Sequence, residues 1–172
     1  MEFWDLYTAD RQQTSSTHIR GNELPDDRYH LVVHVWLRNA EDKYLLTQRA
    51  PNRKRLPLAW ECTCGSVLAG ESSLAGAVRE VSEEVGINLN PRVDPGTVVY
   101  SCVRKYFLGK KYNDILDVWV FDTQKNPDLT SASTDEVASA KWMTRSEIRK
   151  LWQTGEMNPE MEYFFSEVVA EV

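Results

Sequence analysis

Between Ser72 and Gly86 the apolar residues fall into helical step. Leu74, Val78, Val81 and Val85 are separated by four, three and four positions, which makes one stripe of an amphipathic helix. Ser72 or Ser73 can cap its start by accepting from the free N–H groups of the first turn, and Gly86 suits the left-handed residue that ends a helix. Almost opposite the stripe stand Glu80, Glu83 and Glu84, within an arc of roughly 100° at the helical pitch. Carboxylates so close repel one another. The chain must therefore bury one face of this helix and bring positive charge to the other. Mg²⁺ and Mn²⁺ prefer such oxygen ligands and also bind phosphate oxygens. Taken alone, Glu83 and Glu84 read rather as a solvated charged face. Gly65 and Gly70, ahead of the helix, free that loop for unusual dihedrals and close backbone approach to a cation.

The segments around the helix read as strands. YHLVVHVWLR is apolar, β-branched and aromatic, ends at the turn signal NAEDK, and is followed by YLLTQRA as a hairpin partner. AWECTCGSV predicts another strand, TVVYSCVRKYFL and NDILDVWVFDT two long ones around GKK, and ASAKWM a short one after the loop DLTSASTDE. Thr144 with Glu147 is a capping-box signature for a helix through about Trp152, and NPEMEYFFSEVVAEV reads as a closing helix. The polar residues 1–28 form an arm or edge hairpin around EFWDLYT, and residues 29–172 form the main body of what is overall a single domain. The expected class is α+β, a mixed and mostly antiparallel sheet with helices packed on it as an αβα sandwich.

Charge narrows the function classes. The 20 Lys and Arg against 26 Asp and Glu leave a net charge of −6, which argues against a nucleic-acid polymer as partner. A phosphorylated small molecule stays compatible, because divalent cations can bridge acidic side chains to an acidic substrate. No apolar run approaches the roughly 18–20 residues of a membrane span, and MEFWDLYTADRQQ has no signal-peptide pattern, so a cytoplasmic protein without membrane partners is expected. The cysteines Cys62, Cys64 and Cys102 are a poor disulfide framework, and C-x-C without a second Cys/His pair is a poor zinc motif. Reduced thiols are expected.

The spacing over residues 65–87 is that of the Nudix box: Gly65, five residues, Glu71, seven residues, Arg79-Glu80, Val81, Ser82, Glu83-Glu84, Val85, Gly86, Ile87. With ordinary residue frequencies a chance match is below roughly one in a million. The chain thus resembles the Nudix hydrolases, and the strand order over about residues 29–170 is similar to their fold. The resemblance implies metal-dependent hydrolysis of a diphosphate linkage in a nucleoside diphosphate joined to another moiety, or in a related organic diphosphate, with Mg²⁺ or Mn²⁺ as cofactor. It implies that Glu80 and Glu84 ligate metal, that Glu83 shares that shell or orients the water, and that the Cys64 carbonyl is a further ligand. Arg79 would hold the glutamates and Glu71 would brace the loop against the helix. Glu83 is the first choice as general base and Glu136 the second.

Outside the box, Arg49, Arg53, Lys54 and Arg55 put four cations in seven residues; they could clamp a diphosphate, and a solvated loop reads equally well. Arg104, Lys105, Lys110 and Lys111 flank the later hairpin as solvated charge. Trp36, Trp60 and Trp119 are chiefly core candidates. A homodimer through the N-terminal arm is compatible with the sequence, and no residue pattern demands it.

Within the superfamily the chain is most similar to the branch containing isopentenyl-diphosphate isomerase, through YHLVVHVWLRN, LLTQRAPNRKRLPLAWECTCGSVLAGES and TDEVASAKWM. There Cys64 sits at the catalytic cysteine and His30 at a metal-binding histidine. Against that reading, Cys64 is followed by Gly65-Ser66 rather than Gly-His, and the acidic pair of the later strand is replaced by Asn113-Asp114-Ile115-Leu116-Asp117. The box is intact where the isomerase erodes it. His30 and His34 share a strand face as packed histidines. A non-catalytic sensor of a nucleotide-like ligand is the third reading, disfavoured because no box glutamate is lost.

Overall fold

The first long apolar run becomes strand β3 (His30–Arg38), and its alternation organises the molecule. In the computed structural model, which describes residues 1–107 and 109–168, Leu31, Val33, Val35 and Leu37 face one side of the sheet. Trp36 faces the other, as period-two alternation requires. Strand β8 (Lys110–Asp122) runs parallel to β3 along its whole length, from His30 opposite Asp114 to Arg38 opposite Asp122. Strand β7 (Gly96–Phe107) pairs antiparallel with β8 to form the sheet edge.

On its other side β3 has two partners. Strand β4 (Tyr44–Arg49) pairs with it only at Leu37 and Arg38, then diverges. Strand β6 (Thr63–Ser66) takes the vacated edge at Val32–Val35, while β5 (Trp60–Glu61) stays on β4. The single strand predicted for AWECTCGSV is thus two, because the chain changes partner at Cys62. Strand β9 (Val137–Met143) pairs with the outer edge of β4, completing a seven-stranded mixed sheet. All its pairings except β3–β8 are antiparallel.

Helix α1 (Ser73–Val85) covers the first face, with Ala77, Val81 and Val85 fully buried against β3. Its caps are those read from sequence: the Ser72 hydroxyl accepts from Ala75 N–H at 3.1 Å, and Gly86 is left-handed at φ 68°. A side chain at Gly86 would also meet the Asp128 carbonyl at 2.2 Å. Helix α2 (Arg145–Thr154), opened by the Thr144–Glu147 capping box, covers the second face through Ile148. The αβα layering therefore holds. No described helix is long and apolar enough to cross a membrane.

The predicted closing helix does not form as an α-helix. A 3₁₀ turn (Pro159–Met161) and a π turn (Phe164–Val168) replace it, and residues 169–172 lie outside the described residues. Met161, Tyr163 and Phe164 all point into the second core layer, where Phe164 packs tilted on Trp36 and edge-on to Tyr44 and the Tyr163 hydroxyl accepts from Trp36 Nε1. A continuous α-helix cannot turn these three positions to one face as this packing requires.

Strands β1 (Phe3–Tyr7) and β2 (Gln13–Ile19) form a separate hairpin, attached by reciprocal backbone bonds between Tyr7 and Tyr29 at 2.8 and 2.9 Å. Its turn is fixed by Asp117. That carboxylate, buried on β8, accepts from Arg11 at 2.6 Å, Ser73 at 2.5 Å and Ser101 at 2.8 Å. Burial pushes its pKa up, but these donors outweigh burial and hold it below the usual Asp value. Asp117→Ala would strand the donors, lowering the unfolding free energy by about 1–3 kcal/mol at neutral pH by chemical denaturation. Because the folded pKa is depressed, the stabilisation is present above about pH 3.9 and lost as pH falls through the folded value. The gap between variant and parent should close in acid.

Candidate active site

Arg79, on the charged face of α1, is the centre of the site. Its Nε donates to Glu71 at 2.9 Å, Nη1 to both Glu80 and Glu83 at 2.8 Å, and Nη2 to Glu71 at 3.1 Å and the Ser66 carbonyl at 2.9 Å. Glu71 in turn accepts from Leu68 N–H at 3.0 Å. One guanidinium thus ties the loop before the helix, strand β6 and two helix carboxylates together, using its fork of donors.

Gly65 is required by this arrangement. It sits on β6 opposite Val33, and a Cβ there would lie 1.9 Å from the Glu80 carboxyl carbon. Glu84 lies deeper. Burial raises its pKa well above the usual carboxylate range; the nearby Glu61 and Glu80 carboxylates push the same way, opposed by hydrogen bonds from the Thr63 side chain and Cys64 N–H. Burial likewise raises Glu80 to about 7, although the Arg79 charge pulls it down.

The loop after β8 closes the site from above. Asp128 N–H donates to the Val85 carbonyl at 2.8 Å and Ser133 N–H to the Glu83 carbonyl at 3.0 Å, so this loop is strapped to the end of α1. A cavity of about 280 Å³ lies beneath, lined by Glu2, Glu80, Glu83, Glu84 and Glu136 against only Arg20 and Arg79 among charged residues. The structure therefore brings Cys64, Gly65, Arg79, Glu80, Glu83, Glu84 and Glu136 to one cavity. Five carboxylates against two guanidiniums, one carboxylate buried beside others, is a donor set that fits a hard divalent cation.

The loop cations are placed differently. Arg49 pairs with buried Glu61 at 2.6 Å, and Arg53 pairs with Glu136 at 2.6 Å. Lys54 lines a neighbouring cavity with Arg49, Asn52 and Asp135. Arg55 reaches a second cavity of about 370 Å³ that shares Arg20, Cys64, Gly65 and Ser66 with the first. There Arg104 is no solvated charge. It is buried, bound to Asp114 at 2.7 and 2.8 Å and to Glu160 at 3.1 Å. Lys105 and Lys111 pair with Asp27 and Asp26, and the side chain of Lys110 lies outside the described residues. Sequence reading missed Arg20, Tyr112 and Glu160, which converge here from distant segments with no local motif, and Glu61, which lines a smaller cavity with Glu160. Trp36, Trp60 and Trp119 line neither cavity. His30 stacks on Trp4 at 3.9 Å, its pKa lowered to about 4 by burial.

Residues 28–168 match the NUDIX domain. The chain belongs to the Nudix hydrolase family. An uncharacterized Nudix hydrolase of Listeria monocytogenes is 33% identical over 166 residues, spanning 96% of this chain and 91% of that protein. Isopentenyl-diphosphate Delta-isomerase of Escherichia coli is 36% identical over 67 residues only, 38% of this chain and 37% of that protein. Among solved structures, a Deinococcus radiodurans protein superposes with TM-score 0.67 at 19% identity over 91% of both chains. The NUDIX domain of Shewanella oneidensis NrtR, solved with ADP ribose, superposes with TM-score 0.57 at 15% identity, covering 71% of this chain and 77% of that one. The family generally hydrolyses diphosphate linkages with divalent metal ions, and this Nudix enzyme shares the fold.

The two raised carboxyls make a measurable prediction. Without metal, the folded Nudix chain holds protons on Glu80 that the unfolded chain releases between about pH 4.5 and 7, so stability falls as pH rises through that window. A cation competes with those protons. The rise in melting temperature on adding Mn²⁺ should therefore be clearly larger at about pH 8 than at about pH 5.

Proposed function

We propose that this Nudix enzyme hydrolyses a nucleoside diphosphate linked to another moiety, or a similar organic diphosphate. The observation that carries the reading is that two neighbouring cavities share Arg20 and the β6 residues Cys64, Gly65 and Ser66. The acidic one suits a metal-bound diphosphate, and the other, lined by Arg20, Arg55, Arg104 and Tyr112, suits a polar attached group. A relative in fold was solved with ADP ribose, which has this bipartite chemistry.

In the proposed mechanism Glu80, Glu84 and the Cys64 carbonyl would hold Mg²⁺ or Mn²⁺, with Glu83 sharing that shell or orienting the water. When bound, the cation polarises phosphoryl oxygens and acidifies a water. Glu83, half exposed at the cavity, accepts the proton from the attacking water. Glu136, held by Arg53, is the alternative base. Arg79 keeps Glu80 and Glu83 in register and Glu71 keeps Arg79 in place. Lys54, which has no described ion pair, and Arg49 and Arg53, once released from their glutamates, are the loop cations that would grip the diphosphate.

The test is a panel of nucleotide sugars, dinucleoside polyphosphates, nucleoside triphosphates, coenzymes and prenyl diphosphates, with and without Mg²⁺, products read by mass. Metal-dependent monophosphate products are expected. Glu84→Gln should lower turnover by about two orders of magnitude or more while the melting curve stays cooperative. Unchanged turnover in that variant contradicts the mechanism.

The partial match to the isomerase supports a second reading in which the Cys64 thiol does chemistry on a prenyl diphosphate. Cys64→Ala separates the two. A hydrolase that uses only the Cys64 backbone keeps its turnover within a few-fold, and an isomerase loses it.

A further inference from the structure

The face of β6 turned away from the glutamates carries a cluster of sulfur and nitrogen donors that diphosphate hydrolysis does not use. His34 and Cys64 are direct cross-strand partners on β3 and β6. Cys62 stands two residues before Cys64, so strand alternation puts its side chain on the same face, toward the second core layer. A ring nitrogen of His34 and the sulfurs of Cys62 and Cys64 all lie within 4.8 Å of one another. Both thiols are free, and their sulfurs are 3.7 Å apart. A tetrahedral ion with Zn–S bonds of about 2.3 Å sets its sulfurs about 3.8 Å apart, so the thiols already stand along one edge of such a site.

The geometry points to a second metal site, for a thiophilic divalent cation of the Zn²⁺ class, ligated by Cys62, Cys64 and His34.

The surroundings suit it. The His34 ring is buried and oriented by the Tyr163 hydroxyl, 2.7 Å from Nδ1, which also accepts from Trp36 Nε1 at 3.2 Å. Partners of this kind fix the ring of a metal-bound histidine. Two thiolates neutralise a divalent ion, so the filled site adds no net charge to a low-dielectric interior. Met161, its sulfur 3.5 Å from that of Cys62, offers a further soft donor. A cavity of about 100 Å³ adjoins His34 and Cys64, its remaining polar lining being Glu61, Asn158 and Glu160 with Arg49 and Arg55. Soft sulfur donors reject Mg²⁺, so the two faces of β6 would sort cations by hardness. The pairing was hidden in the sequence because His34 is contributed across the sheet to a bare C-x-C.

The full-length protein, stripped of metal and reduced with a phosphine, should be titrated with Co²⁺ and followed by absorption. One equivalent per chain is expected to give a near-ultraviolet thiolate charge-transfer band and the visible bands of tetrahedral cobalt. Zn²⁺ should displace it stoichiometrically and a roughly hundredfold excess of Mg²⁺ should not. The charge-transfer band should disappear in Cys62→Ser and in Cys64→Ser and persist in Glu84→Gln. A band that survives both serine variants, or octahedral cobalt without charge transfer, overturns the site. Because Cys62 is fully buried, a variant there could fail to fold, so alkylation of the parent protein is measured as well. Zn²⁺ should slow modification of Cys62 and Cys64 at least tenfold relative to Mg²⁺. Equal rates in the two metals overturn the proposal.

Discussion

Everything at the candidate active site hangs on the Arg79 guanidinium. The first physical problem of the chain is that α1 carries glutamates along one face and is pressed against the sheet by the other. Arg79 offsets that repulsion from within the same helix, and through Glu71 and the Ser66 carbonyl it extends the restraint to the loop and to β6. Gly65 admits the Glu80 carboxylate against the strand backbone where a side chain would exclude it. The charge on the cavity side remains incompletely balanced. That excess is what fits the site for a divalent cation, while burial, with a smaller push from Glu83, raises the protonation of Glu80.

Strand β6 shows how a partner exchange in the sheet creates function. Since β4 leaves β3 after two residue pairs, a short strand can enter the gap and place Cys64 and Gly65 beside the helix glutamates. Its neighbouring residues then serve two chemically different faces. Hard oxygen donors gather toward α1. Thiols and an imidazole gather toward the aromatic layer under Tyr163 and Trp36.

What was legible in the sequence is what local periodicity and spacing encode. The caps of α1 at Ser72 and Gly86, the Thr144–Glu147 box and the alternation of β3 are short-range properties, and each stands where the pattern placed it. Glu80, Glu83 and Glu84 were legible for the same reason, all three lying within one helix, whereas Glu2 reaches the same cavity from the N-terminal arm. The break at Cys62 was not, because it follows from the divergence of β4, a property of the sheet. Nor was the end of the chain, where burial of Met161, Tyr163 and Phe164 overrides helical propensity. The second cavity draws Arg20, Arg55, Arg104 and Glu160 from four separate segments, so no spacing could announce it. Arg104 read as surface charge only because its partners Asp114 and Glu160 arrive from the paired strand and the C-terminal turn.

The most direct test of the central claim is anomalous diffraction at the manganese edge from crystals soaked in Mn²⁺. The account predicts a peak in the acidic cavity, within coordination distance of the Glu80 and Glu84 carboxylates. A structure with Mn²⁺ bound only elsewhere, under conditions where the enzyme turns over, would contradict it.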